Sequence, residues 1–148
     1  MHPSLLFDQF TQLYRPYIKL MQPLLDQYQL HPAQWLVMKD IAISPGTTLV
    51  QISKRRSIEK PTTRKVLKAL DAQGWLTVCP GEIDKREKLL YLSPSGQDIH
   101  KQLSRQISQL QTEMLETLSM SKDELNQLAD QLENIYQTIR HHLQTETS

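Results

Sequence analysis

Apolar side chains recur at helical spacing at both ends of the chain. Leu6, Phe10, Leu13, Tyr17, Leu20 and Leu24 are separated by alternating steps of 4 and 3 residues, a heptad-like stripe along one helix face. Pro23 falls inside this stretch and predicts a kink or break near residues 19–23, because proline has no N–H to donate and its ring crowds the preceding turn. A second helix is expected from Pro32 through Trp35, Leu36, Met38, Lys39, Ile41 and Ala42, stopped by Ser44-Pro45-Gly46. Thr47 or Thr48 can cap a short third helix carrying Leu49, Ile52 and the cluster Lys54-Arg55-Arg56. After a turn at Ser57-Ile58-Glu59-Lys60, a fourth helix with Pro61 in its first turn buries Val66, Leu67 and Leu70 and ends at Gly74, a left-handed cap.

The period then changes. Trp75-Leu76-Thr77-Val78-Cys79 reads as a strand and Leu89-Leu90-Tyr91-Leu92 as its partner, joined by a charged tip from Gly81 to Lys88. Ser93-Pro94 opens a long helix with Ile99, Leu103, Ile107, Leu110, Met114 and Leu118 on one face. The chain breaks after Met120 into Ser121-Lys122-Asp123-Glu124, a capping box, and a last helix repeats Leu125, Leu128, Leu132, Ile135, Ile139 and Leu143. The fold expected is mainly α with a small two-stranded β wing: a winged helix-turn-helix lobe flanked by long helices. Those flanking helices carry more apolar face than one small lobe can cover. Packing on each other as a monomeric bundle is one outcome; the heptad spacing favours an intertwined homodimer.

Charge sharpens this picture. The whole chain carries a formal +1, but residues 54–88 hold ten basic and five acidic side chains, a local +5. Such a polarised field suits attraction to phosphates. A helix-turn-helix presents its second helix to the major groove of double-stranded DNA, N-terminal residues first. Here that helix opens Lys60-Pro61-Thr62-Thr63-Arg64-Lys65. Arg64 can take a guanine edge with two hydrogen bonds, which Lys65 cannot match, and the hydroxyl and methyl of Thr62 suit bases or phosphates. Lys54, Arg55 and Lys68 are spaced as phosphate contacts that position without specifying. In the wing, a hairpin tip is thin enough for a minor groove, where an arginine gains from narrow A·T tracts. Asp84 beside Lys85, Arg86 and Lys88 makes sense if its carboxylate holds Arg86 extended.

The run Ile52-Ser53-Lys54-Arg55, Lys60-Pro61-Thr62, Leu70-Asp71-Ala72-Gln73-Gly74-Trp75-Leu76, Asp84-Lys85-Arg86-Glu87-Lys88 and Leu92-Ser93-Pro94-Ser95-Gly96 resembles the pattern of the MarR family of transcription factors. In that family a Leu-Glu-x-x-Gly-Leu-like segment closes the recognition helix, and an Asp-x-Arg wing precedes a Leu-Thr-x-x-Gly-like helix start. The resemblance spans about residues 30–97. It implies one MarR-like domain over residues 1–148, a DNA-binding lobe over 30–93, and dimerisation helices at 1–29 and 94–148. It further implies a homodimer on a palindromic site, the wing arginine in the minor groove, and often repression relieved by a small-molecule effector. Arg56 stands where the family usually has an apolar residue and Ser57 where it often has glycine, which implies a wider turn. Thr63 replaces a commonly aliphatic position.

Other chemistry finds little support. The five histidines, His2, His31, His100, His141 and His142, show no zinc-ligand spacing. Some family members sense zinc, for which His31, Asp26 and His100 are the weak candidates; no metal or cofactor is expected. Cys79 reads as a strand filler, and a single cysteine suits a reducing cytoplasm. No basic-then-apolar leader opens the chain, and apolar runs such as Trp35-Leu36-Val37-Met38 fall far short of the roughly 20 residues a membrane span needs. No phosphate loop or catalytic constellation appears, so an enzyme is not expected. The competing class is a winged helix that binds another protein instead of DNA.

Overall fold

The computed structural model describes residues 2–146. Its described elements run α1 (Pro3–Asp26), α2 (Pro32–Ile43), α3 (Leu49–Arg56), α4 (Lys60–Ala72), β1 (Leu76–Pro80), β2 (Lys88–Leu92), α5 (Pro94–Glu116) and α6 (Lys122–Glu146). This is the mainly helical, winged arrangement anticipated. Residues 1, 147 and 148, the outermost of the flanking segments, lie outside the described residues.

Of the kink or break expected near Pro23, the break does not occur: α1 is continuous through both Pro16 and Pro23. Proline's fixed φ of about −65° is itself helical, so each ring removes one hydrogen bond without forcing the chain out of register. Met21 and Leu25, buried on either side of Pro23, hold the last turns in place. The face that packs inward is Ile18, Met21 and Leu25, whereas Leu6, Leu13 and Leu20 of the heptad-like stripe stay exposed.

The chain divides into two compact units, one ending at Ser108 and the other beginning at Gln109. In the first, Leu25 and Leu30 meet Trp35, Val37, Met38 and Ile41 of α2, Ile52 of α3, Leu70 of α4 and Leu103 of α5 in a single core. In the second, Ser121 and Glu124 form the anticipated capping box, each side chain accepting from the other's backbone N–H. Leu128, Leu132, Ile139 and Leu143 of α6 are exposed.

β1 and β2 pair antiparallel with Leu76 opposite Leu92 and Val78 opposite Leu90. The connection between α2 and α3 adds an unanticipated rung. Gly46 N–H donates to the Leu90 carbonyl and Leu90 N–H to the Thr47 carbonyl, both at 2.8 Å. The start of the helix-turn-helix is thereby fastened to the inner strand of the wing.

A second fastening lies where α4, the wing and α5 meet. Gly74 takes the left-handed cap at φ +76°. Its carbonyl accepts from the hydroxyls of Ser93 (2.6 Å) and Ser95 (3.0 Å), while Ser93 N–H donates to the Trp75 carbonyl at 2.9 Å. Ser93 Oγ also accepts from Gly96 N–H at 3.1 Å. Any Cβ at Gly96 would collide with the Trp75 carbonyl, so glycine is what lets α5 start against the wing.

Within the first unit His100 stacks on Trp35, ring centroids 5.3 Å apart, and lies near Ser104. Burial of the ring and, secondarily, the charge of Lys39 push His100 below the ordinary imidazole value of 6.5. The unfolded chain therefore takes up this proton at a higher pH than the folded one. Stability from this residue is complete above pH 6.5 and lost as pH falls from there toward the folded-state value. Between pH 7.5 and about pH 5.5, melting temperature should drop more for the wild type than for His100→Gln. Equal drops, read by calorimetry at constant ionic strength, would show that His100 titrates alike in both states.

Candidate nucleic-acid interface

The helix-turn-helix is built by local chemistry at each end of α3. Thr48 caps the helix, its hydroxyl accepting from Gln51 N–H while Gln51 Oε1 accepts from Thr48 N–H. Lys54, Arg55 and Arg56 occupy the last turn, where cations complement the carbonyl end of the helix. Ser57 then adopts the left-handed conformation, φ 53° and ψ 46°, and Ile58 N–H donates back to the Ser53 carbonyl at 3.0 Å. The turn consists of Ser57, Ile58 and Glu59, between the end of α3 at Arg56 and the start of α4 at Lys60. Serine accepts the backbone geometry that glycine commonly supplies there, at a cost of roughly 1–2 kcal/mol.

Along α4, Lys60, Pro61, Thr62, Arg64, Lys65 and Lys68 are exposed. Lys60, Arg64 and Lys68 follow at four-residue steps and form a cationic stripe, with the positive helix end beneath it. Lys54 at the end of α3 is also exposed.

Two of the residues assigned to contact DNA are engaged elsewhere. Thr63 is fully buried; its Oγ1 accepts from Ser53 Oγ at 2.9 Å and donates to the Glu59 carbonyl. It cannot reach a base, and its position 3 residues before Val66 and 7 before Leu70 already placed it on the apolar face. The two hydroxyls satisfy one another, so this polar contact sits in the core without an orphaned donor. Arg55 is corrected as well. Its Nη2 lies 2.7 Å from Asp40 Oδ2, its Nε 3.2 Å from both carboxylate oxygens, and Nη2 also donates to Thr47. Asp40, largely buried, makes Arg55 a fastener between α2, the α2–α3 connection and α3. The Asp40–Arg55 pair had no signal in the chain, since its members lie 15 residues apart without a periodic relation.

The wing tip brings Asp84 and Arg86 together. Asp84 Oδ1 accepts from Arg86 N–H at 3.0 Å and from Arg86 Nε at 3.2 Å, while the Arg86 side chain remains 93% exposed. Gly81 N–H donates to the Glu87 carbonyl and Glu87 N–H to the Asp84 carbonyl, closing the loop on itself. A Cβ on Gly81 would collide with the Asp84 carbonyl. Asp84 and Lys85 are exposed in this tip, and Lys88, also exposed, is the first residue of β2.

Between α3, α4 and the wing lies a cleft of about 860 Å³. Leu67, Leu76, Val78 and Leu90 line its apolar part, and Arg64, Lys68 and Lys88 line it together with Asp71 and Glu87. Among the described residues no three His, Cys, Asp or Glu side chains converge as a metal site, so Asp26, His31 and His100 are not drawn together. Cys79 is a half-buried free thiol in β1, opposite Leu89. No described helix is long and apolar enough to cross a membrane.

A MarR family model matches residues 28–87 of this chain. An HTH-type transcriptional regulator of Staphylococcus aureus (strain Mu50) is 37% identical over 133 residues, covering 90% of this chain and 91% of its own length. Native Staphylococcus aureus MarR superposes with a TM-score of 0.87 at 35% identity, covering 95% of this chain and 99% of that one. Staphylococcus aureus MarR in complex with salicylate and kanamycin superposes at 0.82 with 36% identity, covering 92% and 91%. A mutant of Escherichia coli MarR complexed with operator DNA shares the fold, with a TM-score of 0.74 and 24% identity over 88% of this chain and 92% of that one.

Removing the fastener beneath the interface should be felt without touching the exposed face. Asp40→Ala leaves the half-buried Arg55 guanidinium without its carboxylate and should cost about 1–3 kcal/mol in urea unfolding. A loss below about 0.5 kcal/mol, typical of surface substitutions, would show that the pair does not hold these helices together.

Proposed function

This chain belongs to the MarR family of helix-turn-helix transcriptional regulators, a family of DNA-binding proteins rather than enzymes, and we propose that it binds a palindromic operator as a homodimer. The observation that carries the reading is the exposed stripe Lys60, Arg64 and Lys68 on α4, together with an exposed Arg86 paired with Asp84 at the wing tip. In this reading residues 30–93 form the DNA-binding lobe of one domain, and residues 1–29 and 94–148 supply dimerisation. Arg64 reads a base edge in the major groove, with Thr62 beside it. Pro61 starts the helix, Lys54, Lys60, Lys65 and Lys68 hold phosphates, and the wing residues Asp84, Lys85, Arg86 and Lys88 serve the minor groove and its walls.

The regulator acts as a repressor in the cytoplasm, and a small-molecule effector relieves it. The cleft of about 860 Å³ is of a size that accepts small ligands, and it shares Arg64 and Lys68 with the proposed DNA-facing stripe. Staphylococcus aureus MarR has been solved with salicylate, which supports an effector of modest size. The alternative, a winged helix that binds only proteins, predicts no salt-dependent shift of random duplex DNA.

The homodimer should sediment at micromolar concentration with twice the 17.2 kDa of one chain. A stable monomer there would overturn both the dimer and the palindromic operator.

Arg64→Ala should weaken binding to the operator by about 1–3 kcal/mol and relax preference at one base position. Lys68→Ala should weaken all sequences alike and flatten the salt dependence. Titrations against operator and random duplex test this division, and identical behaviour of the two variants on both would refute it.

A further inference from the structure

Ile83 is the most exposed large apolar side chain among the described residues, with a relative accessibility of 102%. Single exposed aliphatic residues are ordinary on protein surfaces. Ile83 differs in where it is held. It sits in the wing tip directly before Asp84, in a loop closed by the hydrogen bonds Gly81 N–H to Glu87 O and Glu87 N–H to Asp84 O. The Asp84 carboxylate takes two further hydrogen bonds from Arg86. One backbone-closed loop thus carries a fully exposed aliphatic group and, three residues on, an almost fully exposed guanidinium.

That pairing fits one surface well. The minor groove of DNA has anionic rims, apolar sugar edges along its walls, and a floor whose chemistry depends on sequence. A·T pairs offer only acceptors there, which a guanidinium satisfies. A G·C pair adds the guanine 2-amino group, which protrudes into the groove. An aliphatic side chain at that level meets the amino group sterically and strips water from a donor it cannot accept from.

We propose that Ile83 is a specificity-determining residue that enters the minor groove beside Arg86 and discriminates against the guanine 2-amino group. The proposal rests on the reading of the wing as a minor-groove element. Arg86 supplies attraction to any narrow anionic groove, and Ile83 supplies rejection of one base pair by contact.

The test uses three 30-bp alternating duplexes, dA-dT, dI-dC and dG-dC, at low salt with the full-length protein. Inosine pairs like guanine but lacks the 2-amino group, so dI-dC and dG-dC differ at the minor-groove floor and not in major-groove hydrogen-bonding groups. Wild type should bind dI-dC several-fold more tightly than dG-dC. Ile83→Ala, which removes an exposed side chain and leaves the fold intact by circular dichroism, should bring that ratio close to one. Arg86→Ala should weaken binding to all three duplexes while wild-type Ile83 keeps part of the dI-dC preference. If wild type does not distinguish dI-dC from dG-dC, or if Ile83→Ala keeps the full ratio, Ile83 does not read the groove. Binding to the duplexes would still stand in both cases. If wild type binds none of the three, the DNA-binding reading itself fails.

Discussion

The carbonyl of Gly74 is the point on which the DNA-facing geometry depends. It lies where the recognition helix has ended and the wing has not begun, and two hydroxyls from the start of α5 converge on it. Ser93 also ties into the Trp75 carbonyl and the Gly96 N–H, so α4, β1, β2 and α5 share one small hydrogen-bonded knot. A hydrogen bond to a turn carbonyl is worth only about 1 kcal/mol net. Its importance here is geometric: α4 and the wing project from the same knot, and their relative angle follows from it. The absence of a side chain at Gly96 is the matching constraint, because the helix could not approach the Trp75 carbonyl otherwise.

Two aspartate–arginine pairs show how burial decides what the same chemistry does. In Asp40–Arg55 the carboxylate is 12% exposed and the arginine 33%, with Thr47 completing the set, so both groups are committed to joining helices. In Asp84–Arg86 the corresponding values are 52% and 93%. An exposed pair contributes at most about 1 kcal/mol and is screened by salt. It restrains the arginine only weakly, so a phosphate or base edge can replace the carboxylate at little cost. The buried pair builds the platform, and the exposed pair presents a side chain from it.

Much of this architecture was legible along the chain because it is local. Helix caps at Thr48 and Ser121, the left-handed Gly74 and the change of period at the wing each announce themselves within a few residues. The continuity of α1 through Pro23 was not legible, since it depends on the burial of Met21 and Leu25 against the rest of the core. The Arg55–Asp40 pair was hidden for a similar reason. A basic cluster at the end of α3 looks uniformly solvent-facing until α2 supplies a carboxylate. Thr63 was misread in the opposite direction. It lies in the opening turns of α4 among the residues expected to meet DNA, but its helical phase with Val66 and Leu70 puts it in the core. In the candidate site, periodicity tells which face a residue occupies, and only the fold tells whether a neighbour has already claimed it.

The apolar surface left on the flanking helices connects this local chemistry to recognition at longer range. Leu6, Leu13 and Leu20 on α1 and Leu128, Leu132 and Leu143 on α6 all remain open to solvent. Exposed apolar stripes of this regularity on long helices lose free energy in proportion to their area until something covers them. A single helix-turn-helix lobe spans only a short stretch of groove, and contacts to phosphate are largely indifferent to sequence. Covering those stripes with a second copy would set two recognition helices and two wings at a fixed separation. On the proposed homodimer, half-sites would recur at about 34 Å along the duplex, or a multiple of it. The hydrophobic faces that contribute nothing to base reading would in this way determine which spacing of half-sites the exposed cations can use.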